Sequence, residues 1–517
     1  MTAEPIQPSI PVRYAALAGA AAGALALGAA ELLAGILPGA ASPIVAVGDL
    51  VIALQPPGAK QFVVDIFGEA DKLVLNVFIA GVAVGAAAAG GVLARTRPWV
   101  LNLGAGAFGI LALFAGLRDP LAEALTTVVV VAVAVLVVVY AMRWVLEQAR
   151  RATARAPAEM PAWGRRRFIG MSIAAIGVAA LGGVAGRTLL ERGRQGAIAQ
   201  AGTLPAPSAT APPPPSGAEL EVEGITPLIT ANERFYRIDT ALLVPRPDID
   251  TWRLRVSGLV DRPVELTYDQ LVNMPLFEQY VTIACVSNEV GGNLVGNALW
   301  RGVRLKDLLR QAGLQPEATQ IVGRAVDGFT VGFPTGYALA DDRESMVAVG
   351  MNGDPLPVDH GFPARLIVPG LFGYVSATKW LTEIELTTWE GFDAYWVPLG
   401  WAKEGPILTQ SRIDVPRDGA QLDAGTVTVA GVAWAPDRGI SAVEVQVDDL
   451  GWATAEISAP ISDATWVQFA YAWDAGPGEH RISVRATDGD GEVQTDERTE
   501  PAPDGARGHH MIEVSIG

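Results

Sequence analysis

Residues Tyr280–Leu309 read YVTIACVSNEVGGNLVGNALWRGVRLKDLL and hold the only cysteine of the 517-residue chain, Cys285. The β-branched run Val281–Ile283 predicts a strand, the Gly- and Asn-rich residues after Cys285 predict a loop, and a short helix opens near Leu305. A thiolate at a strand end, facing many backbone N–H groups and little side-chain bulk, can ligate a soft metal or act as a nucleophile. A lone cysteine is as readily a small buried hydrophobe, and on this stretch alone both alternatives stand.

Working outward, half of the residues are hydrophobic, which is the composition of a membrane protein with a soluble part attached. Charge is divided unevenly: 16 Lys and Arg against 11 Asp and Glu through Gln200, then 22 against 44 after it. So acidic a soluble part excludes nucleic acid as a partner. One cysteine allows no intrachain disulfide, so the redox compartment must be argued from topology.

Apolar segments long enough to cross a bilayer run at Tyr14–Leu37, Leu73–Leu93, Trp99–Leu117, Leu125–Val145 and Phe168–Val184. The first is too long and too poorly cleavable for a signal peptide. Pro43–Leu54, interrupted by Asp49, has the length of an interfacial or re-entrant piece. Arg95 and Arg97 follow the second span, and Arg143, Arg150, Arg151, Arg155 and Arg165–Arg167 lie between the fourth and fifth, which makes both loops cytoplasmic. The N-terminus is then cytoplasmic and everything after Gly186 extracytoplasmic. Asp49, Asp65, Glu69 and Asp71, against only Lys60 and Lys72, suit the outer side. Gly164-Arg165-Arg166-Arg167-Phe168-Ile169-Gly170 resembles a twin-arginine export motif, and equally serves ordinary positive-inside anchoring. Histidine occurs only at His360, His480, His509 and His510, outside every span, so no histidine-ligated haem is expected within the membrane part. Glu31 is the one carboxylate well inside a span, suited to proton or quinone chemistry or to solvation near the outer interface.

The fold expected is multi-domain: an all-α transmembrane region over residues 1–190, a Pro/Ala-rich linker over 191–218, an α+β domain over 219–404 and a β-sandwich over 405–517. Ala201–Ala218, AGTLPAPSATAPPPPSGA, predicts an extended, exposed spacer. Trp252–Val256 and Val264–Leu266 predict short strands, and Thr267–Asn273 a capped helix. Val427–Trp434, Ser441–Val447, Trp466–Trp473 and His480–Ala486 alternate as strands between Gly/Asp turns, the pattern of an antiparallel sandwich. The Asp448-Asp449 pair lacks the twelve-residue calcium loop and predicts a turn.

Cys285 with Asn288, followed by Trp300-Arg301-Gly302-Val303 and Leu305, resembles the metal-binding segment of the sulfite oxidase family of molybdopterin enzymes. About 65 residues later, Met351-Asn352-Gly353-Asp354-Pro355-Leu356-Pro357, Asp359-His360-Gly361-Phe362-Pro363-Ala364-Arg365 and Ser376-Ala377-Thr378-Lys379-Trp380-Leu381 resemble its pterin-binding stretch. Two segments in the family's order are far more specific than either alone. The resemblance implies that Cys285 ligates molybdenum and that Asn288, His360, Arg365, Ser376, Thr378 and Lys379 hold the pterin and its phosphate. Asn232, Phe235 and Tyr236 match by type and spacing the family's first cofactor loop. After Glu404, Gly431–Ala435, Val443–Val445 and Arg485–Asp488 resemble the family's immunoglobulin-like dimerisation domain, which implies a possible homodimer.

The sequence departs from the family where oxyanions are bound. Basic residues expected soon after Asn288 and just before Asn232 are replaced by Glu289, Val290 and Ala231. A carboxylate there repels sulfite. Arg234 or Arg237 can restore positive charge, or the substrate is neutral, as in the sulfoxide-reducing branch; Tyr280 and Tyr374 are candidate donors near the metal. The expectation is a membrane-anchored, extracytoplasmic oxidoreductase with a molybdenum–molybdopterin cofactor. It transfers an oxygen atom to or from a small sulfur- or nitrogen-containing substrate and exchanges electrons with a separate cytochrome or quinone-linked protein. The rival expectations are a cofactor-free binding module on a membrane stalk, or a transporter with an accessory domain.

Overall fold

Long runs of Ala, Gly, Val and Leu can satisfy their backbone in apolar surroundings only by coiling into helices. The computed structural model describes residues 10–55, 71–154, 162–341, 343–448 and 450–517. Lys60, Asp65, Glu69, Arg155 and Asp449 lie outside them. The chain divides into two units, Met1–Gly196 with Ala241–Val244, and Ala197–Thr240 with Pro245–Gly517.

In the first unit the helices are α1 (Val12–Ile36), α2 (Pro43–Leu54), α3 (Asp71–Ala94), α4 (Trp99–Gly116), α5 (Ala124–Ala154) and α6 (Ala162–Ala201). Among the described residues, all but α2 contain a stretch long and apolar enough to cross a membrane. Small residues let α1 lie close to its neighbours: a Cβ on Gly19 would meet the Ala87 carbonyl oxygen of α3 at 2.1 Å, and one on Gly28 the Ala179 oxygen of α6 at 2.4 Å. Glu31 is buried rather than solvated. Its carboxylate accepts from Ser42 Oγ at 2.7 and 2.9 Å and from Ile44 N at 3.4 Å, at the N-terminus of α2. The last helix continues to Ala201, so the first third of the expected linker is helical.

The second unit holds β1 (Arg253–Gly258), β2 (Val264–Thr267), α7 (Tyr268–Val272), β3 (Leu276–Ala284), β4 (Val295–Arg304), α8 (Leu305–Ala312), β5 (Gln320–Ala325), β6 (Thr330–Pro334), α9 (Gly336–Leu339), β7 (Met346–Met351), β8 (Asp354–Pro355), β9 (Arg365–Ile367), α10 (Gly373–Ser376) and β10 (Leu381–Thr387). One sheet has the order β2-β1-β10-β5-β6 and is antiparallel except for the β1–β10 pair. The other runs β3-β4-β7-β8, with β9 also on β7. Phe277, Val281, Ile283, Ala298, Trp300, Met346 and Ile367 form a core on the second sheet. The Pro/Ala segment is not an unattached spacer: Ser208 N donates to Leu276 O at 2.7 Å and Glu278 N to Ala209 O at 2.9 Å, so it lies along β3.

Nine further strands follow: β11 (Gln410–Val415), β12 (Ala420–Leu422), β13 (Gly425–Trp434), β14 (Ile440–Val447), β15 (Ala453–Thr454), β16 (Glu456–Ile457), β17 (Val467–Ala475), β18 (Gly478–Asp488) and β19 (His510–Ile516). They form sheets β11-β13-β17-β16 and β12-β19-β18-β14-β15. Val429, Phe469, Val445, Val484 and Ile512 share one core, which joins the two sheets as a sandwich.

Candidate active site

Strand β3 ends one residue before Cys285, and its antiparallel register with β4 brings Ala284 opposite Val295. The intervening loop closes on itself. Cys285 N donates to Leu294 O at 2.9 Å, Asn288 N to Cys285 O at 3.1 Å, and Leu294 N to Asn288 Oδ1 at 2.7 Å. These bonds fix Cys285 at 8% exposure, with Sγ 3.0 Å from Ser287 Oγ. Glycine inside β4 serves the same site, since a Cβ on Gly296 would lie 2.7 Å from the Phe235 ring.

The first loop and the 351–365 segment meet through hydrogen bonds. Asn352 Nδ2 donates to Asn232 Oδ1 at 2.8 Å and to Thr230 O at 2.9 Å. His360 Nε2 lies 2.7 Å from Asn232 O. A carbonyl oxygen only accepts, so Nε2 carries the proton; burial pushes the imidazole down to about 4, and Nδ1 of the neutral ring is an acceptor. Phe235 packs edge-on against His360 and Trp300 at 5.6 and 5.8 Å and stacks on Tyr236 at 5.3 Å. Burial raises the Tyr236 hydroxyl above its ordinary range, with nearby Cys285 adding to the rise and Arg365 opposing it. Arg365 in turn lies over Trp300 at 5.4 Å and donates through Nη1 to His360 O at 3.3 Å; burial lowers its guanidinium to about 10. Lys379 Nζ donates to Asp359 O at 3.1 Å and pairs with Asp239 at 3.4 Å, and burial brings it down to about 8.

The structure thus gathers Cys285, Asn288, Asn232, Tyr236, His360, Arg365 and Lys379. Other expectations are corrected. Phe235 is a core ring that supports His360 from behind. Tyr280 lies five residues up β3 from Cys285, roughly 16 Å along a strand, and cannot donate to a metal at the sulfur. The Tyr374 hydroxyl is taken by Ala402 O at 2.8 Å. Ser376 donates to Leu371 O and Phe372 O at 3.2 and 3.0 Å, carbonyls just before α10, which take up its proton. Thr378 is not corrected: its Oγ1 lies near Gly323 and is buried with no hydrogen-bond partner among the described residues. Arg237 pairs with Asp239 and Asp359 at 3.2 and 3.4 Å, on the Lys379 side, and Arg234 is exposed. His360 offers an acceptor, Nδ1, at its open nitrogen. Asn352, Ser287 and Asp239 were not anticipated; of these only Asn352, inside the Met351–Pro357 motif, carried a signal.

A buried polar atom without a partner calls for an explanation, and where several gather around one space an absent ligand supplies it. Asn288 Nδ2, His360 Nδ1 and Arg365 Nε are buried with no hydrogen-bond partner among the described residues. They offer an amide donor, a ring acceptor and a cationic donor, which fits a polar, anionic group of pterin type. No cluster of three or more His, Cys, Asp or Glu suited to a metal occurs among the described residues, so a metal at Cys285 would take most of its ligands from that group.

The profile described as "Oxidoreductase molybdopterin binding domain" matches residues 241–396. The uncharacterized oxidoreductase YuiH of Bacillus subtilis is 35% identical over 158 residues, which cover 31% of this chain and 76% of that protein. The chain belongs to the sulfite oxidase family of molybdopterin oxidoreductases. Human mitochondrial sulfite oxidase is another relative, 32% identical over 337 residues, with 55% of this chain and 60% of that protein covered. The chain therefore spans about 60% of the length of this curated relative. A solved structure, the sulfane dehydrogenase SoxCD from Paracoccus pantotrophus, aligns with a TM-score of 0.47 at 24% identity, over 52% of this chain and 75% of that one.

Proposed function

We propose that the chain is a membrane-anchored oxidoreductase whose catalytic unit lies on the extracytoplasmic side and transfers an oxygen atom to or from a small sulfur- or nitrogen-containing substrate. The observation that carries this is the convergence of Cys285 with three buried, unpartnered polar atoms, Asn288 Nδ2, His360 Nδ1 and Arg365 Nε. When bound, the molybdenum cofactor supplies the two-electron oxygen-atom chemistry. The protein holds and orients it. Cys285 gives the one protein sulfur ligand, and Ser287 Oγ at 3.0 Å tunes that sulfur as a hydrogen-bond partner. His360 accepts from the pterin ring, and Arg365 with Lys379 offsets its phosphate charge. Tyr236, beside both Cys285 and Arg365, is the hydroxyl best placed to hold a proton near the metal.

A neutral oxygen donor such as a sulfoxide is favoured over sulfite, because Glu289 is exposed next to Asn288 and Ala231 precedes Asn232. Sidedness rests on the arginines between the fourth and fifth spans and on the twin-arginine segment, which now opens α6. The electron partner is a cytochrome or quinone-linked membrane protein, and the sandwich, taken as immunoglobulin-like, supplies a homodimer contact.

The test is metal and pterin content of the purified protein, expressed in a host that makes the cofactor. About one molybdenum per chain, with sulfoxide reduction exceeding sulfite oxidation, is expected. Folded, exported protein lacking molybdenum would falsify the enzyme assignment and leave a binding module. Protease applied to intact cells is expected to remove the catalytic unit; full protection would reverse the orientation.

A further inference from the structure

The sandwich touches three chain segments beside the site, the strand that leads to Cys285, the loop after it and the stretch that leads to Asn232, and it does so with buried polar groups. Arg412 on β11 is buried, and its guanidinium makes three bonds: Nε to Asp414 Oδ1 at 2.7 Å, Nη1 to Gly292 O at 2.8 Å and Nη2 to Thr226 Oγ1 at 2.8 Å. Gly292 belongs to the loop that carries Asn288, while Thr226 leads into the loop that carries Asn232. One arginine therefore ties the 286–294 loop to the stretch that leads to Asn232. His510 on β19 accepts from Ile413 N through Nδ1 at 3.0 Å and presses its ring on Gly291, whose φ of +81° and missing Cβ admit it. The strand before Cys285 is held in the same way: Thr282 N donates to Ala464 O at 2.9 Å, and Trp466 N to Thr282 Oγ1 at 2.8 Å. Trp466 Nε1 also reaches Leu228 O at 2.8 Å.

Burying a guanidinium is costly unless each donor is met, and apolar side chains pack two sheets together without that cost. Arg412 spends its donors on a carbonyl and a hydroxyl outside the sandwich, where planar fork geometry fixes their separation in a way apolar contacts do not.

We infer that Arg412, supported by His510, is a positioning residue for the metal site, holding residues 286–294 so that Asn288 and the Cys285 sulfur stand in one fixed arrangement toward the cofactor. The sandwich is then part of the active-site scaffold, besides any role in dimer formation. The consequence at the metal rests on the assignment of Cys285 as its ligand.

The experiment compares full-length wild type with Arg412→Met, Arg412→Lys and His510→Ala. An outer control is Arg485→Met, which breaks the Arg485–Glu444 pair on the other sheet. Hydrogen–deuterium exchange of the 286–294 peptide is measured with and without cofactor, and the Mo(V) paramagnetic resonance signal is recorded after chemical reduction. Arg412→Met is expected to speed exchange in that peptide at least tenfold, leave β14 and β18 peptides unchanged, and shift the Mo(V) signal at near wild-type metal content. Arg412→Lys, able to reach one loop but not both, recovers part of the protection, and Arg485→Met changes neither readout. Should Arg412→Met fail to fold, His510→Ala is read in the same two ways. Wild-type exchange in the loop with an unshifted signal, in whichever variant folds, would overturn the inference. Protein without molybdenum would sink the enzyme assignment, while the exchange measurement still decides whether the sandwich orders the loop.

Discussion

Cys285 is the residue on which the proposed chemistry turns, yet its surroundings are ordinary strand and loop geometry. Its place at the end of β3 makes the sulfur available, and the bonds to Leu294 and Asn288 make it fixed. Cys285→Ala should fold and retain pterin through the separate polar cradle, while turnover falls at least about a hundredfold, equivalent to roughly 3 kcal/mol of transition-state stabilisation. X-ray absorption should show one sulfur fewer at molybdenum; an unchanged sulfur count would place the ligand elsewhere. His360 gives a pH signature. Its value of about 4 in the fold lies below the ordinary 6.5, so the unfolded chain takes up the proton first. The stability tied to the neutral ring is complete above about 6.5 and is lost as pH falls toward 4, by at most about 3 kcal/mol. Chemical denaturation of cofactor-free protein between those values should be steeper in pH for wild type than for His360→Gln. Equal slopes would show that the ring is not held neutral.

Elements decide whether such residues meet. The chain from Gly361 to Lys379 closes on itself at Gly361, which has a φ of +113° and stands where a Cβ would be 2.9 Å from the Lys379 Cα. Gly361→Ala should cost about 1–3 kcal/mol and loosen His360 and Lys379 together. A lowered melting temperature accompanied by loss of pterin is the expected pair of observations; loss of stability with full pterin content would detach Gly361 from the site. In the helical unit the equivalent test is Gly19→Ala, because that position lies against the Ala87 carbonyl. Separation of α1 from α3 should destabilise the protein in detergent by about 1–3 kcal/mol, seen as an earlier thermal transition.

At the scale of the whole molecule, charge is the feature with reach. The residues after Gln200 carry 44 Asp and Glu against 22 Lys and Arg, a field that favours a redox partner with a basic docking face. Electron exchange with such a partner should slow on the order of tenfold between low and physiological ionic strength. Stopped-flow rates independent of salt would indicate a membrane-embedded route such as a quinone-linked protein.

The sequence by itself determined the periodic and the compositional. Apolar runs predicted the five helices long and apolar enough to cross a membrane, because solvent transfer acts on each segment separately, whereas Pro43–Leu54, read only as an interfacial or re-entrant piece, is a short helix. Alternating residues predicted β13, β14, β17 and β18, and the two motifs singled out Cys285, His360, Arg365 and Lys379. Tertiary structure alone decided the rest. Strand β4 read as loop because Gly296, Asn297 and Gly302 are poor strand residues, and only the Phe235 ring and the β7 backbone explain why small residues are needed there. Ser376 and Tyr280 have the right chemistry, but hydrogen-bond geometry and strand rise commit them elsewhere. The linker composition read as exposed, whereas an open edge of β3 supplied it with backbone partners. Arg412, Thr282 and His510 carried no local signal at all, since their meaning lies in bonds made across 120, 184 and 97 positions of sequence. Local pattern sets what a segment can form; which donors meet which acceptors is settled only when distant segments share a core.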